Sequence, residues 1–227
     1  MLVENSSNQD GKFIVFEGID GCGKSTQIEA LKKYFDEYNL SFIIGEEPSN
    51  EREIGKFIRD FLHGDIDVPI QTLGPLMVAD RIDHTFSPND YGIIQNLRKG
   101  NSYLSSRWYL STIAYEGVDY GVDYVRNMNQ IFPDKLHADL TIYLDIPIDV
   151  AINRLHSGKE EMDLMERETD RLKKIKAIYD DYILNPENPF MESEHIVVVD
   201  GTLPEKEITS TIFGEIVKIM DDSRLKR

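Results

Sequence analysis

Cysteine is almost missing from this sequence. Cys22 stands alone, so no disulfide can form within the chain, and a reducing compartment, the cytoplasm, is expected. Positive charge is also scarce: 25 Lys and Arg face 41 Asp and Glu, a formal net charge of −16. A surface that acidic repels a nucleic-acid backbone, so no nucleic-acid partner is expected. No run approaches the ~20 consecutive apolar residues that a membrane span needs. The residues up to Gly11 are polar and carry no apolar leader core, so no membrane association is expected either. Internal repeats and low-complexity tracts are absent. What is present is material for a core, with 41% hydrophobic and 10% aromatic residues.

Short β-type runs alternate with longer helical patterns. That alternation predicts an α/β fold, a five-stranded and mostly parallel sheet with helices on both faces. Strands are expected at 13–16, 41–44, 103–106, 140–146 and 196–199. The helix after the first strand places Ile28, Leu31, Tyr34 and Phe35 on one face. Further helices are expected at 54–62, at 69–86 until Ser87-Pro88-Asn89-Asp90 breaks the pattern, and near 110–116. The stretch 156–171 is highly charged, without apolar periodicity in its first half, and is expected to form a mobile lid. One domain over 12–220 is predicted, with tails at 1–11 and 221–227.

Gly18-Ile19-Asp20-Gly21-Cys22-Gly23-Lys24-Ser25 carries the Walker A spacing, following a predicted strand and opening a predicted helix. Glycines let the backbone curl so that successive N–H groups point at phosphates, and the helix N-terminus adds its dipole there. Gly18, Asp20, Gly21, Cys22, Gly23, Lys24, Ser25 and Thr26 are therefore expected to hold ATP. Lys24 would reach the β- and γ-phosphates as a catalytic group, and Ser25 would meet Mg²⁺. Cys22 is expected to be a small loop residue rather than a reactive thiol. No Asn-Lys-x-Asp guanine-reading motif is present, which argues against a GTPase. A motor ATPase usually needs a longer chain, so a small-molecule kinase with a closing lid is the expected class.

The segment 16–27, Phe-Glu-Gly-Ile-Asp-Gly-Cys-Gly-Lys-Ser-Thr-Gln, resembles the phosphate loop of the thymidylate kinase family. The resemblance runs from about residue 12 to 218. Glu47-Pro48 with Ile54-Gly55-Lys56, Ala79-Asp80-Arg81 with His84, Ser106-Arg107-Trp108, Ser111 and Ala114-Tyr115 are similar to later blocks of that family in order and spacing. Leu144-Asp145-Ile146 and Val199-Asp200-Gly201 fit its later strands, and Asp145 is expected to act structurally as much as in the manner of a Walker B acid. The resemblance implies a P-loop kinase acting on a deoxynucleoside monophosphate, most directly dTMP, with Mg·ATP as donor, and a homodimer. It implies that Asp20 and Glu47 flank the acceptor sugar and phosphate. Arg81 and Ser111 would read the base edge, and Tyr115 would crowd the 2′ position. Arg107 would bridge the donor and acceptor phosphates, a catalytic role.

Departures from the family pattern gather at the acceptor and the lid. The arginine usual before Glu-Pro is Glu46, and the phenylalanine expected to stack on thymine is Met77. Ser106 and Glu116 replace an aspartate and a glutamine, and Leu164 replaces an arginine in the lid. Another cation is then expected to serve: Arg52 at the acceptor phosphate, and Arg154, Lys159 or Arg167 from the lid. A phosphate oxygen is already anionic near neutral pH, so monophosphate transfer needs no general base. Two alternatives stay open: a deoxynucleoside kinase using Glu47 as general base, and a nucleotide-binding regulator with weak catalysis.

Overall fold

Parallel strands can be joined only by crossovers, and this chain supplies a helical one after each of its first four strands. The computed structural model describes residues 11–130, 136–155, 162–185, 188 and 195–220, with 162–168 described by backbone alone. The strands β1 (Phe13–Glu17), β2 (Phe42–Glu46), β3 (Ser102–Ser106), β4 (Leu140–Asp145) and β5 (Ile196–Asp200) form one sheet in the order β2-β3-β1-β4-β5. Every neighbouring pair is parallel. The central strand β1 reads Phe-Ile-Val-Phe-Glu and is buried at all five positions, as expected where helices cover both faces.

The helices are α1 (Lys24–Glu37), α2 (Glu53–His63), α3 (Leu73–Phe86), α4 (Ile93–Arg98), α5 (Tyr109–Tyr120), α6 (Val122–Gln130), α7 (Ile148–Leu155), α8 (Met162–Ile183) and α9 (Glu205–Ile219). The helix expected over 69–86 opens with a 3₁₀ turn, Ile70–Thr72, and α3 itself starts at Leu73. Pro75 then falls in its first turn, where a missing N–H costs no helical bond. The α5 helix extends beyond the expected 110–116 and stops at Gly121, whose φ of +85° suits glycine alone. No helix was expected at α4, α6, α7, α8 or α9, and of these α4 and α6 are the least apolar in what they bury. Both are short, and α6 buries only Val125 and Asn129. The charged stretch read as a lid is helical from Met162 onward, and its residues 156–161 lie outside the described residues, as do most of the two expected tails.

Register sets where the chemistry can occur. Phe16 on β1 is level with Ser106 on β3 and Ile142 on β4, so the loops that follow these strands emerge together at one edge. In open α/β sheets that carboxyl edge is where ligands bind. The core beneath it, from Phe13, Ile14, Leu104, Leu140 and Ile142 to Ile212 and Ile216, is fully buried and holds these strand ends rigid.

Candidate active site

The loop after β1 curls tightly before α1. Gly18 has φ +141°, and a Cβ there would come within 2.8 Å of the Leu144 carbonyl on β4. Gly23 is left-handed and starts α1 with no side-chain cap, which leaves the first-turn N–H groups facing outward. Lys24 Nζ donates to the Gly18 and Ile19 carbonyls at 2.8 and 3.0 Å and lies 3.5 Å from Cys22 Sγ. Burial, then repulsion from Arg107, lowers the Lys24 pKa. Ser25 and Thr26 are exposed on the first turn. Cys22 is buried in the loop. Together with Arg154, Gly201 and Leu203, the loop lines a cavity of about 580 Å³.

Arg107 stands at the end of β3 in a left-handed conformation, φ +76°, with its N–H on the Phe16 carbonyl at 2.9 Å. This places its side chain between the loop and α5. The guanidinium pairs with Asp20, reaches Tyr115 Oη at 3.2 Å and Ser111 Oγ at 3.4 Å, and lies 4.6 Å above the Tyr115 ring. Burial raises the Asp20 carboxyl, but the charges of Arg107 and Lys24 outweigh it and hold the pKa below its ordinary value. Asp20 and Arg107 line the loop cavity and also a second one of about 280 Å³.

That second cavity lies between α2, α3 and α5. Glu47, Pro48, Met77, Arg81, Ser111, Tyr115 and Glu116 are in its wall. Arg81 is 3% exposed, and its guanidinium is gripped on all sides. Nε donates to Glu47 at 2.8 Å, one terminal nitrogen to Asn129 at 2.6 Å and the other to Thr112 at 2.6 Å, with the Trp108 ring 5.4 Å away. Asp80, one residue earlier on α3, takes the Ser49 N–H and hydroxyl at 2.7 Å each and so pins the Glu47–Pro48 segment. Burial pushes the Glu47 carboxyl up to about 7, against the lowering pull of Arg81.

Ser111 sits where the sequence placed it, but its hydroxyl turns inward. It donates to Glu17 at 2.5 Å and lies 2.7 Å from Tyr179 Oη. Glu17 also accepts the backbone N–H groups of Trp108 and Ser111 at the start of α5, the second shared with the Trp108 carbonyl. Burial raises its pKa, against the hydrogen bonds of Ser111 and Tyr179. Glu17, Thr112, Asn129, Trp108 and Tyr179 form the supporting shell of this site, and none of them was assigned a role from the sequence.

Arg52, expected at the acceptor phosphate, is not in the wall of this cavity. Arg52 forks onto Asp83 of α3 through two contacts of 2.6 Å, and lines a different cavity along the β2 edge. The cation near Glu46 is Arg59 on α2, 3.4 Å from that carboxylate, with a terminal nitrogen donating to the Pro48 carbonyl. Its Nε is buried without a partner. Gly55 makes this possible, since a Cβ there would lie 2.0 Å from the Ser49 carbonyl. The helix therefore sits against the 47–49 segment and presents Arg59, one turn on, to Pro48.

Arg154 at the end of α7 donates to the Gly201 carbonyl at 2.9 Å and lies 3.3 Å from Gly21 O, joining the phosphate loop to the loop after β5. The other two lid cations, Lys159 and Arg167, lie outside the described side chains. Asp145 accepts Lys176 Nζ at 2.6 Å, a structural role at the β4 end.

A family model described as thymidylate kinase matches residues 16–212. The chain is 30% identical to the thymidylate kinase of Nostoc punctiforme over 215 residues, covering 92% of this chain and 96% of that one. Against the thymidylate kinase of Carboxydothermus hydrogenoformans it is 38% identical over 162 residues, 70% of this chain and 77% of that protein. A probable thymidylate kinase of Methanocaldococcus jannaschii is 33% identical over 213 residues, covering 92% and 98%.

Proposed function

The chain belongs to the thymidylate kinase family, and from that premise we propose that it transfers the γ-phosphoryl group of ATP to the 5′-phosphate of dTMP. The acceptor phosphate oxygen forms the new P–O bond as the bond to the ADP oxygen breaks, so dTDP and ADP are the products. One observation carries the reading: Arg107 and Asp20 belong to both cavities, so a single guanidinium stands where donor and acceptor phosphates would meet. Charge accumulates between those phosphates during transfer, and a preorganised buried cation stabilises it without reorganisation.

The residues divide the work. The loop 18–26 cradles the ATP phosphates with backbone N–H groups, and Lys24 leaves its carbonyl partners for the β- and γ-phosphates. Arg154 faces the same cavity from α7 and is placed to meet the nucleotide. Arg59, beside Glu46 and Pro48, takes the acceptor-phosphate role expected of Arg52. Met77 and Arg81 enclose the base, and the Tyr115 ring borders the sugar. Glu47 faces Arg81 with one oxygen and His84 with the other, which fits a positioning role better than a general base.

Mg²⁺ arrives with ATP. Among the described residues no group of three or more His, Cys, Asp or Glu could hold a metal ion. That suits an ion whose ligands come mainly from phosphates and water, with the Ser25 hydroxyl as the protein's contribution. The metal would neutralise phosphate charge, while alignment and exclusion of water fall to the protein.

Measuring ADP release with dTMP, dUMP, purine monophosphates and thymidine tests the proposal. Turnover with dTMP, less with dUMP and little with thymidine is expected. A preference for thymidine would turn the assignment to a nucleoside kinase.

A further inference from the structure

Glu116 closes one side of the acceptor cavity from α5, 4% exposed, and its Oε2 is buried without a hydrogen-bond partner. A buried polar atom left unpaired costs stability, so the carboxyl of this wall residue gains when a ligand donor comes within reach. A glutamine amide both donates and accepts, whereas an ionised carboxylate only accepts.

The surrounding groups do not supply the missing donor. Arg171 on α8 turns to the Asp119 carboxylate at 2.8 Å and the Tyr115 carbonyl at 3.4 Å. Asp119 is itself an acceptor, and the Tyr120 hydroxyl on the next turn of α5 is also buried and unpaired. Burial, then the charge of Asp119, pushes the Glu116 carboxyl up to about 7, against Arg171, so its ionised form is well populated above neutrality. Across the cavity, Arg81 has contacts from Nε and one terminal nitrogen to Glu47, and further ones to Thr112 and Asn129. One of its five N–H groups remains for a base. The arginines of the wall are thus committed elsewhere, and no donor reaches Glu116 Oε2.

A thymine edge offers two carbonyl oxygens and one N–H. At N3–H, a carboxylate is brought beside O4 or O2, where lone pairs repel. A 4-aminopyrimidine edge replaces O4 with an amine, whose outward N–H meets a carboxylate without confronting a ring acceptor. Resting on the kinase reading above, we infer that Glu116 extends the acceptor range of this site to 4-aminopyrimidine deoxynucleoside monophosphates, dCMP above all, by accepting the exocyclic N–H. The reaction is otherwise the same, γ-phosphoryl transfer to the 5′-phosphate with ADP leaving.

The test is kcat/KM for dCMP and dTMP with the full chain and Mg·ATP at pH 8, with products resolved chromatographically, for the native protein and E116Q. The native protein should form dCDP, and the dCMP-to-dTMP ratio of kcat/KM should fall at least about tenfold in the variant, because a glutamine amide, unlike the carboxylate, can also donate to thymine O4. Circular dichroism checks that the near-isosteric variant folds, and absence of dCDP from the native protein overturns the inference without it. Turnover of dTMP with no dCDP, or an equal ratio in both proteins, overturns this inference and leaves the dTMP kinase standing. Failure with both nucleotides overturns the kinase reading and this inference with it.

Discussion

Glu47 Oε1 and His84 Nδ1 face each other at 4.0 Å inside the protein, and neither atom has a hydrogen-bond partner. The other oxygen of Glu47 holds Arg81, and the other ring nitrogen of His84 lies 2.8 Å from Tyr103 Oη. A line of polar groups thus runs from β3 through α3 to the base end of the acceptor cavity. Gly45 permits it: a Cβ there would collide with the Tyr103 hydroxyl at 2.2 Å. Burial lowers the His84 pKa, against the charges of Asp80 and Asp83, while burial raises Glu47.

Stability should therefore fall as pH rises from 6.5 to 8. Glu47 and Glu116 go from an ordinary 4.5 to about 7 in the folded protein, so the native state holds protons that the unfolded chain has lost. Their contribution is complete below 4.5 and disappears as pH climbs through 7. His84, lowered from 6.5, acts in the opposite sense only below that value. Two carboxyls titrating in this window amount to about 1.5 kcal/mol between pH 6.5 and 8. Urea unfolding at the two pH values measures it, and the double variant E47Q/E116Q should flatten the slope. A slope unchanged in the variant would assign the effect to other groups.

Arg52 and Arg59 should separate cleanly. Arg59→Ala removes the cation beside Glu46 and Pro48, and KM for dTMP should rise about tenfold or more, the loss of a charge-assisted contact. Arg52→Ala breaks the ion pair with Asp83, and because both side chains are only about a quarter exposed it should lower stability by about 1 kcal/mol. Steady-state kinetics with each substrate varied decides between them. A rise in acceptor KM for Arg52→Ala alone would return the phosphate role to Arg52.

Arg52 lies away from the acceptor cavity for a definable reason. Nearness to Glu46 along the chain favoured Arg52, but it lies at the start of α2 and faces Asp83, one turn beyond Ala79-Asp80 on α3. The signal that points to Arg59 was present as Gly55 four residues earlier, a glycine whose contact turns that helix face toward the 47–49 segment. Ser111 shows the same limit. Its position was legible, yet the direction of its hydroxyl depends on Glu17 and Tyr179, which are distant in sequence. Asn129, which holds Arg81, belongs to α6, too polar to register as a packed helix. By contrast the phosphate loop and the five strands were legible. The loop depends on local glycine conformations, and buried parallel strands read as short continuous apolar runs.

Lys24→Ala should abolish detectable ADP release with dTMP while leaving the fold intact. The Lys24 ammonium donates to the Gly18 and Ile19 carbonyls and approaches Cys22, and Lys24 itself lines the loop cavity, so its removal takes no apolar side chain from the core. A loss of at least about a hundredfold in kcat is expected for a lost transition-state cation. Near-normal turnover in a variant with native circular dichroism would remove Lys24 from the mechanism.

Tyr115 has two separable functions, and two substitutions should resolve them. Its hydroxyl accepts from Arg107 at 3.2 Å, and its ring lies beneath the same guanidinium at 4.6 Å, bordering the acceptor cavity. Tyr115→Phe keeps the ring and loses one hydrogen bond to the bridging cation. It should lower kcat by about five- to tenfold, as the loss of about 1 kcal/mol of transition-state positioning implies, and still discriminate against ribose. Tyr115→Ala also removes the bulk beside the sugar, so room appears for a 2′-hydroxyl. The ratio of kcat/KM for UMP over dUMP should then rise, while kcat falls further because Arg107 loses both its hydrogen bond and its aromatic support. Comparing dUMP with UMP in the three proteins isolates the sugar, since the base is the same. If Tyr115→Ala rejects UMP as strongly as the native protein does, the ring has no part in sugar selection and Tyr115 serves Arg107 alone.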